Sequence, residues 1–348
     1  RIEKKLDKLK SLRVSLIGKV LLVNSVVHSQ LYFLSGVYLP PKKHLEEIRR
    51  LSFKFIWEEK REVIKRQTIE TSKDCGGIGL NNLSARCKAL YFDCNVQRPS
   101  RNGFDHQRIA LFKYFFAFTV RDFYPNVFSN MDAHSLVLCD PYKSAEKVLV
   151  QIQDKLETVA PLQVSSNQLY RWMLPEEEDV PLVFDIDKDH KSRLFALWKD
   201  GIVAVKDKDL MWRTAMGGLK TGSFIRRYNI PGANIGCKFC PETVETPDHL
   251  MLTCPGLSGY RNKLVDSVVK LGCTLRAPPH LNEDRNLVLL LGLCPLPESK
   301  AITRDVFTMV ARSFRALWAA RNEAHFGNKQ GDLQSLISSL GGLCQRIL

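Results

Sequence analysis

The sequence predicts a mainly α protein, a basic helical bundle followed by a helical domain that carries a small Cys-Cys-His-Cys zinc knuckle. Three observations predict it. Apolar residues recur at steps of three and four along several long stretches, the signature of amphipathic helices. Strand signals are few. Cys237, Cys240, His249 and Cys254 fall at the spacing C-x2-C-x8-H-x4-C. The 348 residues allow about two domains, and 45% hydrophobic residues is a composition that builds a core.

Taken in order, residues 3–36 read as one long helix, with Leu12, Leu16, Val20, Val23, Val27, Leu31 and Leu34 along one face. Pro40-Pro41 ends it, since neither proline donates a helix hydrogen bond. A second helix is expected over 42–59, with Leu45, Ile48, Leu51, Phe55 and Ile56 inward. A turn on Gly76, Gly77 and Gly79 precedes a helical stretch over 82–96. Residues 97–106 read as a linker, and the Phe/Tyr-rich residues 107–124 as a buried helix. Further helices are expected near 144–158, over 210–228, over 257–271 and over 299–326. The corresponding regions are 1–96, basic and helical; 97–204, a helical linker with an acidic segment; 205–272, zinc-binding; and 273–348, helical.

The sharp constellation is the knuckle. A two-residue gap turns the Cys237 and Cys240 thiolates toward one ion, and the His249-x4-Cys254 pair closes the other half. Three thiolates and one imidazole form a closed tetrahedral set suited to Zn²⁺, and filling all four positions from protein points to a structural metal. Thr246-Pro247-Asp248 is a helix-start signal placing His249 in an opening turn, and Pro255 stops the turn after Cys254.

Charge points to a polyanion. The net charge is +14, and residues 1–70 hold 16 Lys+Arg against 8 Asp+Glu. Residues 132–210 are acidic by contrast, with 10 Lys+Arg against 15 Asp+Glu. Two basic zones around an acidic spacer fit two contact surfaces on one nucleic acid. The candidate contacts in the first zone are Lys4, Lys8, Arg13 and Lys19, then Lys42, Lys43, Arg49, Arg50 and Lys54. In the second they are Arg213, Lys220, Arg226, Arg227 and Lys238, with Phe239 either stacking on a base or packing beneath the zinc. The start is highly charged, unlike a secretory leader, and the longest uncharged apolar run, around Leu287–Leu296, is too short for a bilayer. Seven cysteines scattered outside the knuckle do not resemble a disulfide framework, so a reduced intracellular setting without membrane is expected. The first residue is not Met, which reads as a fragment or a processed piece.

These residues carry a resemblance. Asp209-Leu210-Met211-Trp212-Arg213, Lys220-Thr221-Gly222, and the knuckle with Glu245-Thr246 and Pro255 resemble the zinc-binding region that follows the polymerase of LINE-type (non-LTR) retrotransposon reverse transcriptases. Trp318-x2-Arg321-Asn322, with Phe326 beyond, is similar to that region's closing helix. Upstream, Leu16-x-Gly18-Lys19, Leu39-Pro40, Phe55-Ile56-Trp57 and Gly76-Gly77-x-Gly79-Leu80 resemble the thumb, and Val164-Ser165-Ser166-x2-Leu169-Tyr170 the middle linker. The resemblance implies a non-catalytic grip on RNA template and target DNA in target-primed reverse transcription. It also implies an upstream polymerase domain as partner, and a place in the nucleus and in cytoplasmic ribonucleoprotein. No Asp-Asp pair of the kind a polymerase palm uses to hold Mg²⁺ occurs in the chain, and no Pro-Asp element follows residue 255 as in members with a restriction-like endonuclease. The parent protein is expected to be an RNA-directed DNA polymerase. The alternative is a domesticated or decayed zinc module that docks protein.

The remaining signals read as structure. Gly76-Gly77-Ile78-Gly79 lacks phosphate-loop spacing, the acidic Asp185–Asp189 stretch reads as solvated, and Trp57, Trp172, Trp198, Trp212 and Trp318 read as core anchors.

Overall fold

The computed structural model describes residues 2–97, 147–148, 150–152, 155, 164–174, 178–184, 186–240, 244–270, 300–327 and 338. Among them the fold is mainly α, and the one β-type pairing is an isolated antiparallel bridge, Gly236 to Val244. The expected linker 97–106 and aromatic helix 107–124 fall outside the described residues, save Gln97. The chain forms two compact units that interleave along the sequence: 1–13, 19–60 and 80–178 make one, and 14–18, 61–79 and 179–348 the other.

The expected long first helix is broken. Helix α1 covers Ile2–Leu9, and α2 starts at Leu16. Ser15 explains the restart, because its hydroxyl accepts the Gly18 N–H at 3.2 Å, the bond of an N-cap. Leu12, expected on the buried face, is exposed in the break, and Leu34 at the far end is exposed too. From Leu16 the helix runs on through α2 (Leu16–Leu22), a wider π-type turn (Val23–His28) and α3 (Ser29–Ser35). Leu16–Ser35 is long and apolar enough to cross a membrane by length and composition. This corrects the expectation that the run around Leu287–Leu296 is the longest uncharged apolar one, since residues 20–41 carry no Lys, Arg, Asp or Glu. The helix stripe Val20, Val23, Val27 and Leu31 is buried.

In the first unit α4 (Lys42–Ile56) buries Leu45, Ile48, Phe55 and Ile56 as its periodicity predicts. It stops where Glu58 and Glu59 turn left-handed, at φ 53° and 61°. Helix α6 (Leu83–Phe92) is capped by Asn82, whose side chain accepts the Ala85 N–H at 3.1 Å. Around it Ala89, Tyr91, Phe92, Val148, Ile152, Val164 and Leu169 form an apolar cluster, the last on α7 (Ser166–Trp172). Each large side chain so buried contributes about 1.5–3 kcal/mol.

In the second unit α5 (Arg66–Glu70) leads into the glycine turn, where the Gly76 carbonyl accepts the buried Trp212 indole N–H at 2.8 Å. Helix α8 (Lys188–Lys199) is capped by Asp187, which accepts the His190 N–H at 2.8 Å, so one acid of the solvated stretch has a local duty. The single helix expected over 210–228 is two, α9 (Val205–Ala215) and α10 (Gly222–Arg227), parted at Gly217, which has φ 66°. Helices α11 (Ser258–Lys270) and α12 (Lys300–Phe326) complete the unit. Helix α12 buries Val306, Met309, Val310, Phe314 and Leu317. It is also tied to the segment around α9 by charge: Arg304 to Asp200 at 2.6 Å, and Arg315 to the buried Asp207 at 2.7 Å.

Candidate metal centre

The knuckle is built by close backbone approach. The start of α10 lies so near the strand-like segment before Cys237 that a Cβ on Gly222 would fall 1.9 Å from the Ile235 carbonyl. Opposite, Glu245 donates its N–H to Ile235 at 3.0 Å and accepts the Ser223 N–H at 2.8 Å. Below the ligands, a Cβ on Gly256 would meet the Phe239 carbonyl at 2.2 Å. Any larger residue at either glycine would force these chains apart. Thr246 caps the ligand-bearing turn as its sequence predicts, accepting the His249 N–H at 2.9 Å. That turn, His249–Thr253, is π-type rather than α, and brings Cys254 back beneath Cys237.

Cys237, His249 and Cys254 place their ligand atoms within 4.8 Å of one another. The Cys237 and Cys254 sulfurs are 3.8 Å apart, and both side chains are buried. That separation is far too long for a disulfide. It equals the edge of a tetrahedron around an ion with bonds of about 2.3 Å, the length of a zinc–thiolate bond. The Phe239 N–H points at the Cys237 sulfur, 3.4 Å away. Burial pushes the Cys237 thiol up; burial and the neighbouring Cys237 sulfur push Cys254 up to about 12. An ion must displace these protons, so metal affinity falls as the pH is lowered. Burial lowers His249 below the ordinary imidazole value, with Arg261 acting the same way against Glu245 and Asp248. The imidazole is thereby kept neutral, the form that ligates. The donors fit zinc. Cys240, half-buried, is not among the three gathered ligands, although its N–H also serves the Cys237 sulfur.

Sequence reasoning quoted Glu245 and Arg321 only as motif letters; the structure makes them a buried ion pair. Glu245 is 0% and Arg321 2% exposed at the side chain. Arg321 Nε lies 2.9 and 3.1 Å from the two carboxylate oxygens, and its guanidinium sits 5.2 Å from the Trp318 ring. The pair fastens α12 to the residue that also closes the knuckle's backbone. No sequence signal joins partners so far apart.

The expected cationic contacts sort by environment. In the first unit Lys4, Lys8, Arg13 and Lys43 are exposed. Lys42 lies 3.7 Å from Glu46, Arg50 2.7 Å from Glu47, and Lys54 3.7 Å from Glu59. Arg49 is half-buried, with its guanidinium 5.5 Å from the Phe53 ring. Lys19 requires correction as an outward contact: it is only 8% exposed and bonded to Glu58 at 2.5 Å, because it sits on the inner edge of α2. In the second unit Arg213 is likewise committed, half-buried and 2.7 Å from the buried Asp209. Lys220, Arg226 and Arg227 are exposed, and Lys238 and Phe239 half-buried. The sequence reading missed Arg61. Its guanidinium lies 5.1 Å from the Tyr228 ring and donates to the Tyr228 carbonyl at 3.3 Å. Phe224 packs 4.6 Å from that ring, Lys220 lies 5.9 Å from Phe224, and Arg227 5.9 Å from Tyr228. Phe224 and Tyr228 were visible as neighbours four apart on a helix; Arg61 was not.

No curated protein matches the chain. Residues 165–259, which include the four knuckle residues, match the family described as zinc-binding in reverse transcriptase. The segment is thus similar to a zinc-binding region associated with reverse transcriptases, and its Cys237, His249 and Cys254 form a cluster that can hold the metal.

Proposed function

We propose that this chain is the thumb, linker and zinc-binding part of a LINE-type, non-LTR reverse transcriptase, and that it grips RNA template and target DNA without catalysing the chemistry. Cys240 completes a Cys-Cys-His-Cys set around one structural Zn²⁺. The carrying observation is a metal-competent cluster inside a segment similar to the reverse-transcriptase zinc-binding region. Beside it stand Arg226 and Arg227, exposed on a helix whose Phe224 and Tyr228 rings are flanked by Lys220 and Arg61. Cations neutralise phosphates, and aromatic rings with stacked guanidinium groups suit unpaired bases. The upstream partner would be the polymerase domain of the same polyprotein, and the working compartments the nucleus and cytoplasmic ribonucleoprotein.

The test is binding of labelled RNA and DNA by the whole chain across a salt series. Affinity falling steeply with salt, and little affected by sequence, is expected; affinity indifferent to salt would contradict the reading. The second reading, a protein-docking zinc module, draws on the ion pairs that commit Lys19 and Arg213. On that reading the chain binds zinc and no nucleic acid.

A further inference from the structure

Three exposed arginines of the second unit are left without an acid. Arg226 and Arg227 stand on α10, and Arg61 shortly before α5. Among the described residues none of the three has a carboxylate partner. Glu62, the neighbour of Arg61, accepts from Arg66 Nε at 2.8 Å. Asp209 and Glu245, the described acids that flank α10 along the chain, are held by Arg213 and Arg321. Cations so exposed and unpaired attract an anion from outside the chain.

The same surface carries two rings, and the backbone explains why an arginine joins them. Phe224 lies on α10 and Tyr228 at its C-cap, one turn apart, with ring centroids 4.6 Å from each other. Asn229 follows at φ 46°, in a left-handed turn that leads the chain out of the helix. A carbonyl at a helix end lacks an intrahelical donor. Arg61 supplies one to Tyr228, donating to its carbonyl at 3.3 Å, and the guanidinium lies 5.1 Å from the Tyr228 ring. The Tyr228 hydroxyl donates in return to the Glu62 carbonyl at 3.3 Å. Ring and guanidinium are thereby fixed beside each other from both ends. Phe224 and Tyr228 are half-buried, so neither is sealed in the core.

Cations alone would serve a duplex and an unpaired strand alike, because both offer phosphates. Rings and a guanidinium plane gain from a base only where its face is open, and in a duplex the bases cover one another's faces. We infer that Arg61, Tyr228 and Phe224 form a shelf for an unpaired polynucleotide strand, on which a base stacks while Arg226 and Arg227 neutralise phosphates beside it. The inference rests on the nucleic-acid grip given under the proposed function and narrows that grip, at this surface, to single strands.

The experiment uses the whole reduced, zinc-supplied chain. Its probes are RNA and DNA strands of one unstructured sequence, each alone and annealed to its complement, and the readout is the ratio of single-strand to duplex affinity at one salt concentration. A 2-aminopurine base in the single strands reports stacking by loss of fluorescence. Wild type is expected to quench that base. Tyr228→Leu should lower the affinity ratio by about 5-fold or more. Arg61→Lys keeps the charge and removes the guanidinium plane, and should lower the ratio by about 2- to 5-fold. Arg226→Gln with Arg227→Gln should weaken both probes and leave the ratio in place. Should Tyr228→Leu not fold, Arg61→Lys, at an exposed position, carries the comparison. An unquenched base in the wild type, or a ratio unmoved by Tyr228→Leu and Arg61→Lys, would overturn the shelf and leave the grip standing. A wild type that binds neither strand nor duplex would overturn both.

Discussion

Around α6 in the first unit, Ala89, Tyr91, Phe92 and Leu169 are buried against one another with hardly a charge among them. Around the knuckle in the second, the buried groups are the Cys237 and Cys254 thiols and the Glu245–Arg321 pair, the His249 imidazole is half-buried, and two glycines let backbones touch. The first region gains stability from many modest apolar contributions, and one substitution removes only a share of them. The second depends on a few strong, directional interactions, each costly to break singly. A helical bundle can so be stable on its own composition, while a polar loop of some thirty residues needs an ion and a buried charge pair to hold one shape.

Stripping the metal should separate the regions most sharply. Structural zinc binding is worth about 10–16 kcal/mol in small zinc-binding peptides at neutral pH. Hydrogen exchange after chelation is expected to expose amides over 235–257 while those of α4 and α6 keep their protection; loss of protection in both would erase the contrast. Next in size is the ion pair. Arg321→Met leaves Glu245 buried and uncompensated, and a loss of about 3–5 kcal/mol is expected in denaturant melts of the second unit. A loss near zero would mean that the pair is not buried in solution.

The first unit has its own exception, His28, which is buried on the π-type turn with Nε2 3.2 Å from the Ser52 hydroxyl. Burial lowers its pKa from 6.5 to about 4. The unfolded chain therefore binds the proton more readily, so the stability held above pH 6.5 is lost as the pH falls toward 4, by about 3 kcal/mol in full. His28→Gln should flatten this part of the urea midpoint–pH curve; an unchanged slope would assign it to other groups. The smallest effect concerns a cap: Asn82→Ala should cost α6 about 1 kcal/mol, read from its amide exchange.

Much of this was legible in the sequence. Periodicity placed α4, α11 and α12 to within a few residues, because amphipathic stripes are local. The ligand turn was legible for the same reason, with Thr246 capping where a Thr-Pro-Asp run predicts. The break between Leu9 and Leu16 was missed because Ser15 capping leaves the apolar repeat intact on both sides. Lys19 looked available because a lysine on an apolar helix is normally solvated, and Glu58 lies 39 residues away. Glu245, Arg321 and Arg61 were illegible in their roles, since each is defined by a partner that only the tertiary fold supplies.

The most direct test of the account is the metal content of the purified, reduced chain, measured beside Cys237→Ser, Cys240→Ser and His249→Ala. One zinc per chain is expected in the wild type, with zinc lost or much weakened in each variant. A wild-type chain that carries no zinc, and takes up none when it is offered, would contradict the central claim.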